Sequence, residues 1–211
     1  WNGFNFLNSN ISKVGALDVG FFNKNFSNHT TKKIEEFCSK ENVVTFLLGV
    51  DEIDMNILQK SFVVYIGHHG DKGAQRADIV LPSPAYTEKD CTFVNLEGRV
   101  IKTQICHQPL GEAKDDWKII KTLAQRMSVE LPFNNLLELR QQFCNLNPIF
   151  KELNVLHKNS FESFGNSGKI FNDPIVNLID NFYMTDPISR ASRTMSMCSL
   201  ELMNNKKVIL E

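Results

Sequence analysis

The two longest apolar runs, Val43–Val50 and Phe62–Ile66, are continuous rather than alternating, the pattern of strands buried on both faces. A shorter run, Asp78–Leu81, is closed by Pro82, which has no amide to give to a ladder. Helical spacing fills the gaps. Thr31–Lys40 sets Ile34, Phe37 and Cys38 on one face behind threonines that can cap. Asp51–Lys60 reads as a short helix with Ile53, Ile57 and Leu58 apolar. Strand, helix and strand with short links predict a βαβ unit and a parallel sheet. A glycine-rich turn, Gly67–Gly73, then leads into a short helical turn around Ala74–Arg76.

Beyond Pro84 the pattern changes. Thr92–Asn95 and Arg99–Ile105 alternate like strands around Glu97-Gly98, which predicts a hairpin or irregular loop. Glu112–Met127 is the clearest helix, with Trp117, Ile120, Ala124 and Met127 on one face and acidic residues in its opening turns. Asn134–Phe143 is a second helix, with Asn134 or Asn135 as cap. Residues 145–173 are rich in Asn, Ser and Gly and read as loop, and the Met/Ser/Arg segment 180–201 as a tail lying over another surface. The expected organisation is an α/β unit over residues 1–144 and a loop-rich extension over 145–211. That extension would end in a long extended tail packed on the domain or on neighbours.

Composition narrows the function. With 211 residues, 42 % hydrophobic and 22 % charged, the chain can fill a real core. A formal charge of −1 from 23 basic and 24 acidic residues lacks the basic footprint that nucleic acid demands. No apolar run approaches the ~20 residues of a membrane helix. Five widely scattered cysteines, Cys38, Cys91, Cys106, Cys144 and Cys198, include no C-x-x-C pair. They predict neither a disulfide framework nor an iron–sulfur or zinc site. Trp1 at the start, unlike a translation start or a signal peptide, suggests a longer chain that was trimmed or is given without its beginning. Abundant Phe, Lys, Ile and Asn fit an AT-rich coding genome such as an organelle's.

The candidate chemistry gathers after the strands. Gly67-His68-His69-Gly70-Asp71-Lys72-Gly73 sits where a phosphate-cradling turn would, but its spacing is that of neither known phosphate loop. A tight loop explains it as well. His68 and His69, being adjacent, cannot share a helix or strand face, so a paired ligand role would need a loop that splays them. Asp51 lies at the carboxyl edge, where α/β folds bind ligands. It could accept hydrogen bonds from a sugar or a pterin, or cap the helix it begins. Glu88, Glu97 and Arg99 are explained by internal ion pairing. No nucleophile motif, triad or carboxylate pair is legible.

One stretch carries a resemblance. Phe62–Arg99, FVVYIGHHGDKGAQRADIVLPSPAYTEKDCTFVNLEGR, resembles the large iron–sulfur subunits of mitochondrial respiratory complex I, the NADH:ubiquinone oxidoreductase. Trp1–Asn5 with Val14–Leu17, Asp116–Ile120, Phe182–Asp186 and Ile188–Ser192 resemble further segments of that family in order, leaving out only residues 145–173. The resemblance implies a Rossmann-like half-domain of the molybdopterin oxidoreductase fold, descended from a pterin binder and serving as scaffold. It implies the matrix-side arm of complex I in mitochondria, with arm subunits as partners, foremost a chain bearing the iron–sulfur amino-terminal half. No catalytic, cofactor-binding or metal residue of the family maps onto this chain. Cys91 and Leu96 depart from the family's small residue and Thr, in a loop that would face the ancestral cofactor. Two readings stand beside this one: a fragment of an active molybdopterin-dependent oxidoreductase, and a free nucleotide-binding module supported by Gly67–Gly73.

Overall fold

Three parallel strands run in the order in which the chain makes them, in a computed structural model that describes residues 11–21, 36–157 and 181–209. Strand β1 is Val44–Leu48, β2 is Phe62–Gly67 and β3 is Ile79–Pro82. Val44 pairs with Phe62 and Leu48 with Ile66, while Val64 pairs with Ile79 and Gly67 with Pro82. The α/β class and the parallel sheet follow as the apolar runs predict. The helix expected over Thr31–Lys40 lies mostly outside the described residues; 36–38 are helical.

The strands are not all buried as expected. On β2 the run Val63–Ile66 is buried, but β1 buries only Leu47, and Phe62 opens β2 half exposed. Paired residues of parallel strands point the same way. Leu47, Val63 and Tyr65 therefore share one face with the core residues Leu58 and Cys38. On the opposite face Val44, Phe46, Leu48, Phe62 and Ile79 are between 42 and 56 % exposed. An uninterrupted apolar run cannot reveal this. Composition registers how apolar a strand is, and only packing decides which face is covered.

The β1–β2 link differs as well. The helix expected over Asp51–Lys60 contracts to a single 3-10 turn, Met55–Leu58, capped by Asp54, which accepts the Asn56 N–H at 3.0 Å. An Asx cap in mid-segment starts a new turn where an α-helix would already need to be under way. Helix α2, Lys72–Arg76, follows β2. Arg76 then stitches the lower end of the sheet. Its guanidinium donates to the carbonyls of Leu58 and Ser61, and Asp78 accepts the Val63 N–H at 2.7 Å.

A second core forms on the hairpin. Strands β4 (Thr92–Val94) and β5 (Val100–Lys102) are antiparallel, and Asn95 Oδ1 accepts the N–H groups of Glu97 and Arg99 at 3.0 Å each. Gly98, at φ +85°, closes the turn. Val94 and Val100 meet Phe150, with Val14 of helix α1 (Ile11–Asp18) and Phe143 around them. Helices α3 (Asp116–Arg126) and α4 (Leu136–Leu146) are shorter or shifted relative to the apolar pattern. Asn135 rather than Asn134 caps α4, accepting the Glu138 N–H at 2.9 Å. Arg140 of α4 grips Asp90 at 2.6 and 3.2 Å and Thr92 at 3.1 Å, tying the helix to the hairpin.

The carboxy-terminal part is helical where an extended tail is expected. A 3-10 turn at Phe182–Met184 leads to α5 (Pro187–Ala191) and α6 (Arg193–Ile209). Asp186 starts α5 by accepting the N–H groups of Ile188 and Ser189 at 2.9 and 3.0 Å, with Pro187 in the first turn. Asp-Pro is a sound start signal, and the polar Met/Ser/Arg composition masks it. No helix among the described residues is long and apolar enough to cross a membrane.

Candidate ligand edge of the sheet

The carboxyl edge is assembled from four places in the chain. Asp51 ends the run out of β1, Tyr65 stands near the end of β2, Gly73 opens α2, and Arg190 arrives from α5. The Asp51 side chain is fully buried. One oxygen accepts the Gly73 N–H at 2.8 Å and the other accepts the Tyr65 hydroxyl at 3.1 Å. Asp51 does act as a cap, but for α2 rather than for the segment it precedes. Asp71 caps the same helix from within, accepting the Lys72 N–H at 2.8 Å.

Close approach explains two of the glycines. A Cβ on Gly73 would lie 2.5 Å from the Val50 carbonyl oxygen and 2.8 Å from both Asp51 Oδ1 and the Tyr65 ring. One on Gly67 would lie 2.5 Å from the Tyr65 ring. The aromatic ring thus occupies the space above the strand end, and the glycines let the backbone close around it. Burial, followed by the charge and hydrogen bond of Asp51, pushes the Tyr65 hydroxyl well above its ordinary pKa.

Arg190 completes the edge. Its Nε donates to Asp71, Nη2 lies 3.3 Å from Glu52 and 4.0 Å from Asp51, and Nη1 donates to the Met184 carbonyl at 3.1 Å. Burial alone would raise the Asp71 carboxyl; the hydrogen bonds from Arg190 and the Lys72 N–H, with their charges, hold it below the ordinary 3.8.

The two histidines are not splayed apart. Their Nδ1 atoms are 2.7 Å apart, so one ring donates to the other and the acceptor is unprotonated there. Burial, with His69 next, lowers the His68 pKa from its ordinary 6.5. A cleft of about 310 Å³ separates His68 and Tyr86 from the segment Asp186–Ser189. Among the described residues no three His, Cys, Asp or Glu groups are arranged to hold a metal ion. Glu97 pairs with Arg99 at 3.6 Å as expected, whereas Glu88 accepts the Ala85 N–H at 3.0 Å.

Of the four residues that build the edge, the sequence points to Asp51 and to Gly73 in its loop, but not to Tyr65 or Arg190. Tyr65 has a signal, as the one hydroxyl in an apolar strand, which needs a partner when buried. Arg190 has none, since its partner Asp71 lies 119 residues away.

A Gly-rich turn between a parallel strand and a helix gives this edge the α/β strand–loop–helix arrangement. Residues 1–126 match the family model for molybdopterin oxidoreductases, and the chain belongs to that family. Residues 155–198 match a second model, the carboxy-terminal region of the G subunit of NADH-ubiquinone oxidoreductase. The chain is 40 % identical over 205 residues to the NADH-ubiquinone oxidoreductase 75 kDa subunit of Reclinomonas americana, covering 94 % of this chain and 29 % of the relative. It is likewise 40 % identical to the mitochondrial 78 kDa subunit of Candida albicans over 209 residues, and to the NADH-quinone oxidoreductase G subunit of Rickettsia bellii over 198. Each of those matches takes in 94 % of this chain and 28 % of the relative. The chain thus spans less than a third of the length of these relatives.

The family name implies molybdopterin, which carries a phosphate, and among the described residues the edge of this sheet does not fit that group. The N-terminus of α2, the natural anion cradle, already receives Asp71 and Asp51. Glu52 adds a third carboxylate, so a phosphate entering here would meet repulsion. The Tyr65 ring fills the remaining space over Gly67 and Gly73.

Proposed function

We propose that the chain is a structural part of the peripheral, matrix-side arm of a mitochondrial NADH:ubiquinone oxidoreductase. It supports electron transfer from NADH to ubiquinone without a catalytic, cofactor-binding or metal site of its own. The observation that carries this reading is the closed carboxyl edge, where Asp51, Tyr65 and Arg190 stand where a ligand would. The same feature weighs against a fragment of an active molybdopterin enzyme and against a free nucleotide-binding module.

Partnership is the second element. Parallel sheets are covered on both faces, yet Val44, Phe46, Leu48, Phe62 and Ile79 leave one face of this sheet half bare. The fitting occupant is the apolar side of a helix from a polypeptide carrying the rest of the relatives' sequence, including the iron–sulfur half. Residues 1–144 would then act as a partial domain. Residues 145–211 would act as an extension packing on it and on neighbouring subunits.

The test is isolation of the native assembly. The chain is expected to co-migrate with NADH dehydrogenase activity on native gels and to cross-link through its sheet face to the cluster-bearing polypeptide, the assembly yielding no equimolar pterin and the chain separated from it no iron. Purification as a stable monomer with a sharp two-state melt, apart from that activity, would overturn the proposal.

A further inference from the structure

Strand β5, helix α4 and the 3-10 turn Pro148–Lys151 border a cleft of about 200 Å³. Part of its lining is apolar: the rings of Phe143 and Phe150 meet there at 5.5 Å, with Leu153 beside them. Its charged groups are three cations from three elements, Lys102, Arg140 and Lys151. Arg140 is already satisfied, because its three nitrogens donate to Asp90 and Thr92. The two lysines are not. Among the described residues no carboxylate pairs with either, and Glu152, next in the chain to Lys151, lies 4.0 Å from His157 instead. Two ammonium groups on one small cleft repel each other until they share an anion. The mouth carries a second sign. Leu137 is 78 % exposed in the first turn of α4, a helix held in place by the Asn135 cap and by Arg140. A single exposed leucine needs no explanation. One that lines a cleft with an apolar interior and uncompensated cations has the make-up of an interface, apolar at its centre and charged at its rim.

We propose that this cleft receives an acidic segment of a neighbouring polypeptide. An apolar side chain of that segment enters against Phe143, Phe150 and Leu137, while an adjacent Asp or Glu bridges Lys102 and Lys151. Charge fixes the sign of the partner, and the bare leucine fixes its kind. A free carboxylate or phosphate would answer the lysines but leave Leu137 and Leu153 uncovered, whereas a peptide brings the anion and the apolar cover together. The proposal rests on the reading that the chain works within an assembly. It goes further by assigning a second docking surface, separate from the bare face of the sheet, to a partner chosen by charge.

Carbodiimide coupling in the native assembly tests this, because it joins an amine directly to a carboxylate already in contact with it. Lys102 or Lys151 is expected to couple to an Asp or Glu of another polypeptide that has a large apolar residue beside it in sequence. Lys102→Glu with Lys151→Glu should abolish that coupling and lower the share of the chain recovered with the assembly about tenfold or more, as loss of an interfacial charge pair implies. Lys102→Arg with Lys151→Arg keeps both charges and should hold recovery within about twofold of the unaltered chain. Both lysines are exposed, so hydrogen exchange across residues 92–102 should be unchanged; should the double reversal disturb it, Lys151→Glu alone is read in its place. Coupling of the two lysines only within their own chain, recovery unaffected by the reversal, or binding of the assembly to phosphatidylserine vesicles that the reversal abolishes would each overturn the proposal, the last by giving the cleft to a lipid surface. Co-migration with NADH dehydrogenase activity without such coupling would sink this docking alone, whereas failure to co-migrate would sink the assembly reading and this proposal with it.

Discussion

Gly73→Ala sets two physical effects against each other. Helix propensity favours alanine, by about 1 kcal/mol in a helix interior. The Gly73 backbone is not in the left-handed region, so no conformational strain opposes the change. Space does. The new methyl would lie 2.5 Å from the Val50 carbonyl oxygen and 2.8 Å from Asp51 Oδ1, neither of them the end of a flexible side chain free to swing aside. Overpacking of this kind costs about 1–3 kcal/mol. Displacing the Gly73 N–H from the buried Asp51 carboxylate forfeits about 1.5–3 kcal/mol more. Crowding therefore wins, leaving a net loss of about 1.5–5 kcal/mol, which corresponds to a roughly tenfold to several-thousandfold fall in local protection. The assay is hydrogen exchange across residues 62–77 of the assembled chain, with Gly70→Ala as control. Gly70 has no atom within 4 Å of an added Cβ, so its variant should exchange as the unaltered chain does. Equal protection in the two variants would refute the close-packed edge.

Other expectations follow from the same geometry. The folded pKa of His68 is depressed below 6.5 by burial, so its contribution to stability is complete above that pH and declines as pH falls below it; His68→Gln should flatten this part of a stability–pH curve. Asp71, held below 3.8 in the fold, contributes stability present above 3.8 and lost as pH falls through its folded value; Arg190→Gly should weaken that dependence, the Lys72 N–H and charge remaining, which acid titration of tail exchange would register. Arg140→Ala should free α4 from the hairpin at a cost of about 1–2 kcal/mol, discounted because Asp90 is partly exposed, measured as faster exchange at 92–102. Phe46→Ser should leave exchange of Val63–Ile66 unchanged but weaken assembly in pull-downs with the cluster-bearing polypeptide, and unimpaired assembly would count against the sheet face as the docking surface.

The three strands, their parallel pairing and the hairpin about Gly98 are legible in the chain alone, because apolar runs, a closing proline and a positive-φ glycine are local signals. Asp51 and the Gly67–Gly73 loop are legible as an edge, since the end of a parallel strand is where such folds place ligands. What they do there is not. Whether Asp51 meets a ligand or the Gly73 amide depends on where α2 comes to rest, and no spacing records that. The exposed face of β1 is equally hidden: Val44, Phe46 and Leu48 are as apolar as Leu47, and only the arrangement of neighbours distinguishes them. The helices of the tail escape the pattern because its polar surface obscures the Asp186-Pro187 start. Arg190 lies beyond any reading by pattern. A charge so distant in the chain finds Asp71 only once folding has closed the loop between them, and electrostatic partnership is a property of distance in space.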